Sequence, residues 1–179
     1  MIAGSAKGRR LVGPPTRETR PFTDRMKEGV FSALGERIRD ADVLDLYAGS
    51  GSIGIEALSR GARRVVFVEK GRAALGALRR NLDACGFSQA TIVGQDVADY
   101  LRVASGTFDL IFCDPPWELT ASEVESVMTA CTRLAGAECE MLVHRRASEP
   151  EPSPPDGWRL AATRRYGDGK IHRYEKEMT

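Results

Sequence analysis

From Ala41 onward, short apolar runs alternate with segments whose apolar residues recur at helical spacing. This alternation restricts the fold more than any other feature of the chain. Val43 to Tyr47, Val65 to Glu69, Ala90 to Val93, Phe108 to Cys113 and Met141 to His144 read as strands. The stretches from Ile55 to near Gly61, Arg72 to Ala84, Val97 to Val103 and Ala121 to Ala135 read as the helices between them. Strands joined by helices lie parallel and are covered on both faces, so they appear as nearly unbroken apolar runs. Phe108 to Cys113, interrupted only by Asp109, suits a central strand. Pro150, Pro152, Pro154 and Pro155 then form a stiff loop that can be neither helix nor central strand. Arg159 to Tyr166 and Ile171 to Lys176, separated by Gly167-Asp168-Gly169, read as a hairpin that ends the sheet with an antiparallel strand. The expected fold is a three-layer, Rossmann-like α/β structure with a mostly parallel sheet.

Ahead of this core, Met1 to Leu11 reads as a short hairpin or an irregular arm. Thr23 is placed to cap a helix that carries Asp24 in its first turn and Met26, Val30, Phe31 and Leu34 on one side. Gly29 should weaken that helix by up to about 1 kcal/mol. The 179 residues suffice for one domain without a separate substrate domain, with an N-terminal extension over 1–40 and a catalytic core over 41–179. No run approaches the roughly 18 apolar residues of a membrane span, and Met1 to Arg10 has no signal-peptide stretch, so a cytoplasmic location is expected. The net charge of +1 argues against indiscriminate binding of polyanions. Residues 1–28, however, carry seven basic side chains against three acidic ones, which suggests either a surface for phosphates or a solvated charged arm. Cys85, Cys113, Cys131 and Cys139 lack the close pairing of a zinc or redox site, and no metal site is expected.

The segment Asp45-Leu46-Tyr47-Ala48-Gly49-Ser50-Gly51-Ser52-Ile53-Gly54 lies at a strand-to-helix turn, where missing side chains let a ligand approach the backbone. Gly49, Gly51 and Gly54 fit the dinucleotide fingerprint, and Glu69, ending the second strand, fits its ribose-binding carboxylate. This pattern alone does not separate a nicotinamide cofactor from S-adenosylmethionine. Asp45 favours the latter, because a carboxylate suits a cationic ligand better than a pyrophosphate. Asp96, just after the third strand, either accepts from an adenine amino group or caps the helix that starts at Val97. The expected cofactor set is Asp45, Tyr47, Ala48, Gly49, Ser50, Gly51, Glu69, Lys70, Asp96 and Val97.

Asp114-Pro115-Pro116-Trp117 follows the fourth strand directly, at the end of the sheet where open α/β folds bind ligands. In isolation such a turn could be a mere strand terminator. After a glycine loop and Glu69 in this order, it suits methylation of an exocyclic amine. The lone pair of such an amine is delocalised into the ring, so acceptors must hold its hydrogens and turn the lone pair toward the methyl group. Asp114 and the Pro115 carbonyl can supply acceptors, Pro115 and Pro116 stiffen the turn, and Trp117 can stack on a flipped base. Cys113 reads as a buried thiol rather than a nucleophile.

These residues resemble the bacterial 16S ribosomal RNA guanine-N2 methyltransferases of the RsmD family. The likeness runs nearly end to end, through Ile2-Ala3-Gly4, Lys7-Gly8-Arg9-Arg10-Leu11, Thr19-Arg20-Pro21, Thr23-Asp24-Arg25, Asp45 to Gly54, Glu56-Ala57-Leu58-Ser59-Arg60-Gly61-Ala62 and Asp114-Pro115-Pro116. It implies a seven-stranded methyltransferase sheet with an added N-terminal hairpin and helix, and transfer of a methyl group to one guanine of 16S rRNA in the small ribosomal subunit or an assembly intermediate. It also implies that Gly49, Ser50 and Gly51 line the methionine part of the cofactor, that Glu69 holds the ribose hydroxyls, and that Asp96 meets adenine. Lys7, Arg9, Arg10, Arg20 and Arg25 fall where RNA contact is expected. Two departures stand out: Trp117 occupies a place where the family usually has Tyr or Phe, and Met1 directly precedes Ile2, where a basic residue is usual. A monomer is expected. The main alternative is a DNA adenine-N6 or cytosine-N4 methyltransferase, which uses the same kind of turn but commonly needs a target-recognition domain. A nicotinamide oxidoreductase would leave Asp114 to Trp117 unused, and a non-catalytic RNA-binding module would make both ligand motifs accidental.

Overall fold

The computed structural model describes residues 1–13 and 22–177, so the expected roles of Arg20 and of the Thr19-Arg20-Pro21 motif lie outside the described residues. Seven strands form one sheet: β1 (Asp42–Leu46), β2 (Arg64–Val68), β3 (Ala90–Val93), β4 (Phe108–Cys113), β5 (Ala135–Arg146), β6 (Trp158–Tyr166) and β7 (Gly169–Lys176). Their spatial order is β3-β2-β1-β4-β5-β7-β6. The first five are parallel, and β7 inserts antiparallel between β5 and β6. The helices are α1 (Asp24–Leu34), α2 (Ser52–Ser59), α3 (Arg72–Cys85), α4 (Val97–Val103) and α5 (Ala121–Cys131).

Alternation along the strands sends successive side chains to opposite faces. Val43, Phe67 and Phe112 pack with Phe31, Ile55 and Leu78 of α1, α2 and α3. Leu44, Ile111 and Cys113 pack with Leu101, Val124 and Met128 of α4 and α5. Each fully buried Leu, Ile or Phe contributes roughly 1.5–3 kcal/mol. This two-sided core makes the sheet a rigid platform for the loops at its carboxyl edge.

The helix starts follow the expected chemistry. Thr23 Oγ1 accepts from the Met26 amide at 3.2 Å, and Asp96 Oδ1 accepts from the Ala98 amide at 2.9 Å. The weak helix former Gly29 has a packing reason: a Cβ there would stand 2.1 Å from the Tyr166 hydroxyl, so its absence lets α1 settle on the terminal hairpin.

Two expectations need correction. The fifth strand starts at Ala135 rather than Met141, and α5 ends at Cys131, followed by a 3₁₀ turn over Thr132–Leu134. Ala135 pairs with Phe108 before the register shifts, so the small and polar residues 136–139 run past a bulge and show no apolar alternation. Of the hairpin and the irregular arm, the N-terminus takes the second, with successive turns rather than paired strands among the described residues, which corrects the hairpin that the family resemblance implied. Its backbone is closed on itself by Lys7 N–H to Gly4 O and Gly8 N–H to Met1 O, at 3.2 and 3.0 Å. The same arm is tied to α2. The buried Glu56 carboxylate accepts from the Ile2 and Ala3 amides at 2.9 and 3.0 Å. Ser59 Oγ accepts from the Ala6 amide at 2.9 Å and donates to the Ala3 carbonyl at 2.6 Å.

Candidate active site

Strand β1 lies between β2 and β4, so the chain reverses its order of laying down strands there, and the crevice outside the carboxyl ends of such strands is where α/β folds hold ligands. A cleft of about 1240 Å³ occupies this position. It is lined by Asp45, Tyr47, Ala48, Gly49, Ser50, Glu69, Lys70, Asp96 and Val97 on one side and by Asp114, Pro115, Pro116 and Trp117 on the other. Gly51 is buried just beneath, at the left-handed cap of α2, with φ +84°. The two motifs that the sequence separates by more than sixty residues therefore share one cavity.

The glycine loop is held from below by two carboxylates. Asp45 is 1% exposed, and its Oδ2 accepts from the Gly54 amide at 2.9 Å. A Cβ on Gly54 would lie 2.3 Å from the Phe67 ring and 2.9 Å from that oxygen, which explains the glycine. Asp45 Oδ1 is buried without a hydrogen-bond partner among the described residues. Burial pushes the Asp45 carboxyl up to about 8; the Gly54 amide opposes the shift, and the negative charges of Asp114 and Glu69 add to it. Glu69 Oε2 accepts from the Gly49 amide at 2.8 Å and Oε1 from the Gly71 amide at 2.6 Å, so this residue fixes the loop as well as facing the cleft. Each oxygen keeps a second lone pair for a ligand hydroxyl. Tyr47, at φ +59°, makes the sharp exit from β1. Lys70 Nζ pairs with Asp96 Oδ2 at 2.9 Å, and the ammonium beside it holds the Asp96 carboxyl below its usual range. Asp96 thus caps α4 and lines the cleft at once.

A buried, unpartnered carboxyl oxygen of Asp45 at the base, glycines that admit a ligand to the backbone and a carboxylate at the end of β2 together fit a cationic nucleoside cofactor better than a pyrophosphate, which would meet the negative charges of Glu69 and Asp114.

The second motif is braced by neighbours that the sequence did not single out. Because β4 and β5 are parallel with Cys113 opposite Val143, the next residues, Asp114 and His144, stand side by side. His144 Nδ1 lies 2.7 Å from Asp114 Oδ1. On the other face of β5, the buried Arg145 donates to the Leu119 and Pro116 carbonyls at 2.7 and 3.3 Å, clamping the turn. Phe22, Arg146, Arg165 and Asp168 also line the cleft. Asn81 of α3 donates to the Ser50 carbonyl at 2.9 Å and exchanges hydrogen bonds with Val12 at 2.8 and 3.0 Å, joining the arm to the glycine loop. The pairing of β4 with β5 is what reveals His144, beside the end of β4, whereas Phe22 and Asn81 reach the site from outside the strands. Burial pushes the Cys113 thiol well up, in keeping with a core residue.

Among the described residues, the basic side chains of the N-terminal segment do not line the cleft. Lys7, Arg10 and Arg25 are exposed, and the Arg9 guanidinium donates to the Ala84 carbonyl near the end of α3. Among the described residues no helix is long and apolar enough to cross a membrane, and no group of three His, Cys, Asp or Glu is placed to hold a metal ion.

The family described as Conserved hypothetical protein 95 matches residues 1–175. Ribosomal RNA small subunit methyltransferase D of Escherichia coli strain K12 is 30% identical over 177 residues, covering 99% of this chain and 89% of that protein. The protein of the same name from Haemophilus influenzae is 38% identical over 127 residues, 69% of this chain and 66% of its own length. The solved structure of yhhF from Escherichia coli superposes with a TM-score of 0.88 at 30% identity, over 100% of this chain and 98% of that one. Magnesium protoporphyrin IX methyltransferase from Synechocystis, solved with bound S-adenosylmethionine, shares the fold at a TM-score of 0.69 and 16% identity, over 86% of this chain and 79% of its own. With a three-layer methyltransferase fold, both motifs in one cleft and a full-length match, the chain belongs to the RsmD family of S-adenosylmethionine-dependent ribosomal RNA methyltransferases.

Proposed function

We propose that this chain methylates the exocyclic N2 of one guanine in 16S rRNA, acting as a single-domain cytoplasmic monomer on the small ribosomal subunit or an assembly intermediate. The observation that carries the reading is the shared cleft: Asp114 to Trp117 shares one cavity with Asp45, the loop from Tyr47 to Ser50 and Glu69. S-adenosylmethionine, when bound, supplies an electrophilic methyl group on a cationic sulfonium. Asp45 offers its unpartnered oxygen toward that cationic end, the backbone of Gly49 to Gly51 lies against the methionine part, Glu69 accepts from the ribose hydroxyls, and Asp96, with Val97 beside it, receives the adenine.

On the acceptor side, Asp114 and the Pro115 carbonyl take the two hydrogens of the amine, which directs its lone pair at the methyl group. Trp117 offers a ring for the base and Pro116 keeps the turn stiff. The exposed Lys7, Arg10 and Arg25, with Arg9 and Arg20 in the same stretch, supply phosphate contacts that orient the RNA without reading its sequence.

Purified protein is incubated with radiolabelled S-adenosylmethionine and, separately, naked 16S rRNA, small subunits lacking the modification and unmethylated duplex DNA, and the labelled base is identified after digestion. N2-methylguanine in the RNA or particle is expected. Methyladenine or methylcytosine in DNA would replace this reading with that of a DNA amine methyltransferase.

A further inference from the structure

We infer that His144 is a positioning residue for Asp114: its Nδ1–H holds one carboxylate oxygen, so that the other is aimed at the amine to be methylated. The inference rests on the function proposed above and adds a residue to it. His144 is 3% exposed, and its ring sits edge-on between Phe22, at 5.2 Å and 70°, and Trp117, at 6.1 Å and 78°. On its far side, Nε2 is buried without a hydrogen-bond partner among the described residues. A Cβ added to Gly169 would stand 2.4 Å from that nitrogen. The imidazole is thus packed on several sides, with one polar contact among the described residues, the 2.7 Å approach of Nδ1 to Asp114 Oδ1.

That contact determines the tautomer. With the proton on Nδ1 it is a charge-assisted bond to a carboxylate. With the proton on Nε2, two lone pairs would face each other at 2.7 Å, and a buried N–H would lack an acceptor. The first arrangement also has a mechanical consequence. The terminal torsion of a free aspartate is broad, so its two oxygens exchange places easily. Engaging Oδ1 stops that rotation and leaves Oδ2 as the acceptor in the cleft. Phe22 and Trp117 hold the ring from outside, so the residue that receives the base also steadies the residue that orients the amine.

Asparagine places an amide N–H near the position of Nδ1, whereas glutamine places its amide near Nε2, and phenylalanine fills the space with no donor. His144→Phe and His144→Gln should lower kcat about 10²-fold, the scale of a small misplacement of a reacting group. Cofactor affinity should stay unchanged and His144→Asn should recover most of the loss. Equal turnover of the Asn and Phe variants, or wild-type turnover in the Phe variant, would overturn the assignment. A second readout needs no substrate: in ¹⁵N spectra of the intact protein, the signals lost in His144→Phe should show Nδ1 protonated and Nε2 bare. The opposite tautomer would defeat the inference, while failure of the wild type to methylate any RNA would strike the proposed reaction and leave this spectrum to decide the Asp114–His144 bond.

Discussion

The guanidinium of Arg146 lies 4.4 Å from the centroid of the Trp117 ring, stacked over the indole face, with Glu149 3.7 Å from its Nε. One face of the ring that suits a flipped base is therefore already covered by a cation. A base entering the cleft either uses the other face or displaces Arg146, which then stands beside the phosphates flanking that base. Trp117→Ala should weaken RNA binding about 10- to 100-fold, the value of one base stacked on an aromatic ring, while Trp117→Tyr should retain most of it. Arg146→Ala should reduce the slope of log affinity against log salt by about one. Titrations at several salt concentrations check both; an unchanged slope would show that Arg146 stays on the indole in the complex.

Asp114 lines the cleft, and among the described residues its side chain bonds to His144 and makes no hydrogen bond to the glycine loop. Asp114→Ala should therefore lower kcat by about 10²-fold or more, with the dissociation constant for the cofactor nearly unchanged. Single-turnover kinetics beside calorimetric cofactor binding separates the two. Parallel losses in both would place Asp114 in cofactor binding instead.

The raised Asp45 carboxyl makes stability depend on pH in a definite direction. Between about pH 4 and pH 8 the folded chain keeps a proton on Asp45 that the unfolded chain has released, so this group's contribution to stability falls as pH rises through that window. Asp45→Asn retains a carbonyl acceptor for the Gly54 amide and does not titrate. Its thermal midpoint should gain on the wild type between pH 5 and pH 8. A difference that is the same at both pH values would rule out a neutral Asp45 in the folded chain.

Ser59 anchors the N-terminal arm through Ala6 and Ala3 and does not line the cleft. Ser59→Ala leaves the buried Ala6 amide without its acceptor and should cost about 1–3 kcal/mol in urea denaturation. Cofactor affinity should be unaffected; loss of affinity at full stability would mean that the arm shapes the cofactor loop directly.

Local sequence determined the parallel α/β fold, the glycine turn, the terminal hairpin and the position of Asp114 at a strand end, because period, turn chemistry and caps are properties of neighbouring residues. Thr23 and Asp96 cap their helices as their side chains dictate. The start of β5 was not legible, since residues 136–139 cross a bulge whose partner lies on β4. The same limit applies to the site. Only the parallel register of β4 and β5 sets His144 beside Asp114, and only the folding of the arm onto α2 shows that Glu56 and Ser59 of the Glu-Ala-Leu-Ser-Arg-Gly-Ala motif hold backbone amides of Ile2, Ala3 and Ala6. Sequence decides which chemistry each segment can offer; the pairing of distant strands decides which of those groups meet, because an inter-strand spacing of about 4.8 Å brings residues thirty positions apart into hydrogen-bonding range.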